Sequence, residues 1–229
     1  HLKNFGAKML TAITTSPDGR KHFYIHDLWE NVYEVIEEKT SWYQKKDFTT
    51  GGVLGAVIGV TNIDRSIGLY KTVLGFDKVI SDTTDVFADW NGVEGSQKKF
   101  RRVVLRNSKP REGSFGPLLG DNEIELIQAL EYAPKKIFEN RYWGDCGYIH
   151  LCFDTLDMDT LKTKLQAQGY PFTIDSESSF GMENAAGRFA YLEDPDGTLI
   201  ELVETHKVPI PKKLGWFMDL QKRGLRKPL

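Results

Sequence analysis

Cysteine is scarce in this 229-residue chain: Cys146 and Cys152 are the only two. That is too few to frame a small disulfide-stapled fold. No apolar run approaches the roughly 20 residues that a spanning helix needs. A soluble protein of a reducing compartment, cytoplasmic by default, is therefore the expectation. Charge of one sign is lacking too, since 30 Lys and Arg face 32 Asp and Glu for a net −2. No overall field recruits nucleic acid or an anionic membrane, and neither is expected as a partner. What the chain does have is globular composition, 40% hydrophobic and 27% charged, which suffices for a sizeable core.

The order of local signals is that of a mixed strand and helix protein. Residues 53–60 form a short apolar run ended by Thr61 and Asn62. Over 64–75, apolar residues at 67, 70, 73 and 74 keep helical spacing, and Gly75 sits just past the helix end. Residues 76–80, 100–105 and 123–130 read as three strands, with a polar loop at 91–99. This unit is βαβββ. The order returns with a strand at 148–153, a helix at 158–168 stopped by Gly169, and strands at 170–174, 188–192 and 199–204. Asp194-Pro195-Asp196-Gly197 joins the last two as a turn, because proline presets φ and glycine accepts positive φ.

The N-terminal segment falls on the same pattern. Residues 23–37 align without a gap on 190–204, so that Tyr24 meets Tyr191, Asp27 meets Asp194, Glu34 meets Glu201 and Glu37 meets Glu204. The chain is thus expected to begin inside a third copy that lacks its first strand and most of its helix. The fold class is α+β: a partial unit at 1–45, units at 51–133 and 144–206 that pair with each other, and a tail at 207–229. In the tail, seven Lys and Arg against Asp219 give +6 and leave −8 elsewhere. Leu214, Phe217, Met218 and Gln221 predict a short packing helix there.

The repeat also places the candidate chemistry. Ile124-Glu125-Leu126 and Ile200-Glu201-Leu202 are one triplet at one place in two units, and Glu34 holds that place in the partial copy. A carboxylate inside an apolar strand is costly to bury unless paired, hydrogen-bonded or metal-bound. Two readings stay open: a divalent-metal ligand, or a carboxylate held by Arg102 or Arg106 on the preceding strand. Period-two geometry puts Tyr148, His150 and Cys152 on one face of the first strand of the last unit. His150 is a candidate metal ligand, Tyr148 a candidate acid or hydrogen-bond donor, and Cys152 a small packing residue. His22, His26 and His206 read as surface residues. Arg106, Lys109 and Arg111 lie near one another in sequence and would suit an anionic substrate.

Two motifs carry a resemblance. One is Asn62-Ile63-Asp64-Arg65-Ser66-Ile67, followed by Tyr70 and Leu74-Gly75-Phe76; the other runs from Asp194-Pro195-Asp196-Gly197 to Ile200-Glu201-Leu202. With the tandem βαβββ order, the chain resembles the vicinal-oxygen-chelate superfamily of glyoxalase I, methylmalonyl-CoA epimerase, extradiol dioxygenases and bleomycin-resistance proteins. The resemblance implies paired units curled into a U-shaped half-barrel, with metal ligands from first and last strands. Carried over by position, last-strand ligands fall on Glu125 and Glu201. The first-strand place falls on Gly55 and Tyr148, with His150 two residues later. The implied cofactor is a divalent ion (Zn, Ni, Mn or Fe) held by Glu125, His150 and Glu201, with Tyr148 and Glu201 catalytic in a lyase, isomerase or dioxygenase. The alternative is a metal-free module that holds an aromatic ligand between Trp143, Tyr148 and Phe189. The expected partners are a small molecule and either a further N-terminal unit or a second copy of the chain.

Overall fold

The computed structural model describes residues 2, 6–39, 51–109, 115, 121–177, 180–182, 185–209 and 217–220. The N-terminal strands are β1 (Lys8–Met9), β2 (Thr14–Thr15), β3 (Lys21–His26) and β4 (Val32–Ile36). The middle unit follows as β5 (Gly55–Gly59), α1 (Ile63–Ile67) continued by a π-helical stretch (Gly68–Val73), β6 (Lys78–Asp85), β7 (Phe100–Arg106) and β8 (Glu123–Ala129). The third contains β9 (Leu151–Asp154), α2 (Met158–Ala167), β10 (Ile174–Asp175), β11 (Phe180–Met182), β12 (Ala185–Glu193) and β13 (Leu199–Pro209). A last strand, β14 (Phe217–Asp219), completes the described chain.

Local chemistry explains the helix ends. Asn62 and Asp157 cap the two helices, accepting from the backbone N–H of Arg65 at 3.0 Å and of Thr160 at 3.2 Å. Gly75 and Gly169 follow the helices with φ of +78° and +83°, the left-handed conformation that ends a helix cheaply only at glycine. In each complete unit the first strand lies parallel to the last, β5 on β8 and β9 on β13, while the other pairings are antiparallel.

The middle and third units share one hydrophobic core. Ile124 and Leu126 of β8 and Ile200 and Leu202 of β13 enter it, with Leu69, Tyr70, Met158 and Leu165 from the helical segments. Strand alternation therefore turns Glu125 and Glu201 away from that core. The Asp194 turn fastens the two units together. Tyr70, fully buried, donates its hydroxyl to Asp194 Oδ2 at 3.1 Å, while Asp194 Oδ1 accepts from the backbone of Asp196 and Thr198. The Thr61 backbone N–H adds a 2.9 Å bond to Asp196.

The N-terminal hairpin region meets the Glu125-bearing face of the middle sheet through Arg20–Glu123, Glu38–Arg106, His22–Asp89 and Tyr24–Trp90 contacts. Three expectations need correction. Residues 148–150 and 170–173 lie outside the strands. The tail residues Phe217–Asp219 are a strand, not part of a helix: β13 runs on to Pro209 and leaves an open edge whose backbone groups pair with β14. Leu214 and Gln221 lie outside the described residues. His22 is 1% exposed, not a surface residue, and His206 is half-buried beside Glu204 at 3.1 Å.

Asp194→Ala strands a buried tyrosine hydroxyl and uncaps its own turn, so we expect a loss of roughly 2–4 kcal/mol. Asp196→Ala, nearer solvent, is expected to cost under about 1 kcal/mol. Urea unfolding midpoints compare the two; equal losses would contradict the latch.

Candidate functional site

Each last strand carries its glutamate at the same register. Tyr24 stands opposite Glu34 and Tyr191 opposite Glu201, as the gapless alignment requires, and Val104 stands opposite Glu125. Two residues before these partners, on the same face of the neighbouring strand, are His22, Arg102 and Phe189. That position decides what each carboxylate meets. His22 Nδ1 is 2.5 Å from Glu34 Oε1, and Arg102 Nε donates to Glu125 Oε1 at 2.5 Å. Phe189 offers Glu201 no charge.

The first two glutamates belong to one buried network. Arg102 is 2% exposed and also donates to Asp89 Oδ2 at 2.7 Å, with the Phe87 and Trp90 rings 4.7 and 4.3 Å from its guanidinium carbon. His22 Nε2 lies 3.1 Å from Asp89 Oδ2 but out of line for a hydrogen bond. Trp90 donates to the Tyr24 hydroxyl at 3.0 Å. Burial opposes charge on His22, but the Asp89 and Glu34 carboxylates outweigh it and lift the imidazole to about 9. Burial pushes the Glu125 carboxyl up to about 7, against the pull of Arg102. Beside this network Arg20 and Arg106 both bond Glu123, and Arg106 also bonds Glu38. Arg106 is therefore committed within the protein, and Arg111 lies outside the described residues.

The third unit is arranged differently. Cys152 is in register with Glu201 as Val57 is with Glu125, so His150 and Gly55 occupy the same first-strand place, each seven residues before its helix cap. This moves the first-strand position from Tyr148 to His150. At Gly55 a Cβ would stand 1.9 Å from the Glu123 carbonyl oxygen. No side chain fits there, and the middle unit cannot present a first-strand ligand. At His150 one does: its Nε2 is 3.0 Å from Glu201 Oε2.

Aromatic rings enclose that pair. Trp143 stacks on His150 at 5.9 Å between centroids, and Tyr191 meets the imidazole edge-on at 5.4 Å. Desolvation, then Glu201, pushes the Tyr191 hydroxyl and the Cys152 thiol each up to about 12, so neither is an anion at neutral pH. Asp154, two residues beyond Cys152 on that face, is also raised by burial. Two buried polar atoms here have no hydrogen-bond partner among the described residues, His150 Nδ1 and Asp154 Oδ1.

Glu125, His150 and Glu201 thus do not fit one ion: Glu125 is held by Arg102 within a network of other residues, and only His150 and Glu201 are neighbours. Among the described residues no three His, Cys, Asp or Glu side chains are grouped to hold a metal. The pair retains two donors of suitable type. Tyr148 has its hydroxyl donated to the Val32 carbonyl at 3.1 Å, and its ring meets Tyr33 at 5.9 Å, so it buttresses the N-terminal hairpin. The residue overlooked in the sequence is Tyr191; its signal was the match to Tyr24 opposite a repeated glutamate.

His22 gives a signed pH dependence. Its folded pKa, about 9, exceeds the ordinary 6.5. Its stabilisation is therefore complete below about 6.5 and lost as pH rises through about 9. His22→Gln should remove this component, and the stability difference between the two proteins, measured by chemical denaturation across that window, should shrink as pH rises. A difference that grows would reverse the assignment.

The model of the Glyoxalase/Bleomycin resistance protein/Dioxygenase superfamily matches residues 52–202. A glyoxalase I mutant from Zea mays has a similar structure, with TM-score 0.57 at 14% identity over 89% of this chain and 62% of that one. A glyoxalase family protein from Enterococcus faecalis gives TM-score 0.47 at 19% identity, covering 67% of this chain and 97% of its own. Another from Bacillus cereus gives 0.48 at 19%, with 69% and 98% covered. At such identities the likeness is one of fold. No curated protein matches the chain. The matched span runs from the start of the middle unit into β13 and contains both Glu125 and Glu201, and the chain belongs to the Glyoxalase/Bleomycin resistance protein/Dioxygenase superfamily.

Proposed function

We propose that the chain binds a small molecule on the His150- and Glu201-bearing face of the third unit and exchanges a proton with it through that pair. The observation that carries this reading is the two buried, unpartnered polar atoms on this face, His150 Nδ1 and Asp154 Oδ1. Buried polar groups are ordinarily satisfied, so two on one face without a partner among the described residues favour a ligand there, although Asp154 Oδ2 does accept from the Phe115 backbone at 2.6 Å.

The surroundings narrow the ligand. Trp143 and Tyr191 favour a planar ring. Glu201 and Asp154 make the face acidic, and neither has a Lys or Arg ion partner among the described residues. A neutral or cationic molecule suits it better than an anion. At about 3.3 Å per extended residue, His150 and Asp154 are roughly 13 Å apart along the chain. A molecule that meets both is elongated, with its ring near Trp143 and a hydroxyl or amine toward Asp154.

Glu201 fixes the chemistry of the histidine. Glu201 Oε2 lies 3.0 Å from Nε2 as its ion-pair partner, which leaves Nδ1 as the ring nitrogen to meet the ligand. Proton transfer of this kind suits an isomerase or a lyase. A divalent ion, Zn, Ni, Mn or Fe, would be held by the same two side chains and would polarise a ligand oxygen. The same aromatic walls would also serve a metal-free binding protein, as in the antibiotic-like alternative.

Titration calorimetry with Ni²⁺, Zn²⁺ and Mn²⁺, and with a panel of catechols and aromatic amines, tests this site. His150→Ala and Glu201→Gln are each expected to weaken whatever binds by at least about tenfold. Glu125→Gln should leave affinity unchanged, though it lowers stability. Affinity lost in Glu125→Gln but kept in His150→Ala would refute the assignment to the third unit, as would no binding by any probe.

A further inference from the structure

We infer that the turn between β3 and β4 forms a second binding site, for a small molecule that carries an alkylated ammonium group. The inference is independent of the third-unit reading. An open cavity of about 400 Å³ lies at this turn, and Ile25, His26, Asp27, Leu28, Trp29 and Tyr33 are among the residues that line it. That is the volume of a small-molecule pocket. Asp27 Oδ1 accepts from the backbone N–H of Trp29 at 2.8 Å and of Asn31 at 2.9 Å, and Oδ2 accepts from the Asn31 side-chain amide at 2.7 Å. The Tyr33 hydroxyl adds a longer contact of 3.4 Å to Oδ2. All four donors are neutral. Led by the Asn31 amide, they hold the Asp27 carboxyl below the usual carboxylate range. The negative charge is therefore fixed in place but not balanced, since among the described residues no Lys, Arg or His side chain pairs with it.

The walls suit an organic cation. Tyr33 is held by Tyr148, whose ring meets it edge-on at 5.9 Å and whose hydroxyl donates to the Val32 carbonyl. Trp29 is 68% exposed and Leu28 82%, where the aligned turn of the third unit has Asp196 and Pro195. An aromatic face attracts an alkylated ammonium through its ring electrons, and a carboxylate beside it adds a full opposite charge. An anion would be repelled by Asp27, and a neutral ligand would forgo both attractions. The third unit shows that this aspartate position can receive a donor from beyond its own unit. Asp194, aligned with Asp27, takes the same two backbone bonds on Oδ1, from Asp196 and Thr198, and its Oδ2 accepts from Tyr70 of the middle unit at 3.1 Å. Among the described residues no other unit supplies a donor to Asp27 Oδ2, and the cavity lies at this turn instead.

Titration calorimetry with choline, with benzyltrimethylammonium and with neohexyl alcohol, the neutral isostere of choline, tests the site. Both cations are expected to bind, and the neutral alcohol to bind at least about tenfold more weakly than choline. Trp29→Ala and Asp27→Asn should each weaken the cations by at least about tenfold. Because the Trp29 side chain is largely exposed, its variant should keep the melting temperature of the parent and so report on binding alone. His150→Ala and Glu201→Gln should leave cation affinity unchanged, which separates this site from the third-unit face. Four results overturn the inference: no binding of either cation up to about 10 mM, equal affinity for choline and its neutral isostere, cation binding that survives in a folded Trp29→Ala protein, or cation binding that Glu201→Gln removes.

Discussion

A carboxylate in the middle of an apolar strand must find compensation, and the architecture of this chain follows from how three such carboxylates find it. Glu34, Glu125 and Glu201 stand at one register position on β4, β8 and β13. The neighbours of Glu125 and Glu201, which are Ile124, Leu126, Ile200 and Leu202, fix their sheets in the shared core, so neither of these two can turn inward without exposing apolar surface. Compensation has to come from the opposite face. The residue diagonal to each glutamate settles its fate: His22 and Arg102 supply positive charge from the adjacent strand, whereas Phe189 supplies none and leaves Glu201 to His150.

That diagonal also bears on how the units are held together. Because Arg102 reaches Asp89, and Asp89 reaches His22, the neutralisation of Glu125 draws the N-terminal hairpin onto the middle sheet. A second set, Arg20 and Glu38 with Glu123 and Arg106, repeats the arrangement nearer solvent. Buried pairs of this kind add little net stability over an apolar core, but breaking one partner is expensive. They therefore specify which sheet covers which face. The middle and third units are joined by other means, the shared apolar core and the Asp194 turn.

Much of this was legible in the sequence. The βαβββ order, the glycine stops at 75 and 169, and the gapless match of 23–37 to 190–204 all follow from periodicities of 2 and 3.6 and from turn chemistry, which act locally. The match even preserved strand register, Tyr24 against Glu34 and Tyr191 against Glu201. The site was legible only in part. Glu125, Glu201 and His150 stand out in the sequence as residues that need explanation, but their grouping depends on which faces meet. Both glutamates point away from the shared core, so a set drawn from both could not close. His22 read as surface because its neighbours are turn residues; the carboxylates of Glu34 and of Asp89, both distant in sequence, make its burial tolerable.

Two equivalent positions differ in content, and the faces beside them differ accordingly. Gly55 and His150 share a place, yet the carbonyl of Glu123 excludes any side chain at the first, while the second presents an imidazole against Glu201. A glycine there brings β5 close to β8, and Arg102 then takes up the charge that no first-strand ligand can balance. Where a histidine fills the place, the aromatic side chains Trp143 and Tyr191 pack around it, and its Nδ1 has no partner among the described residues. The arginine and the histidine answer the same electrostatic demand.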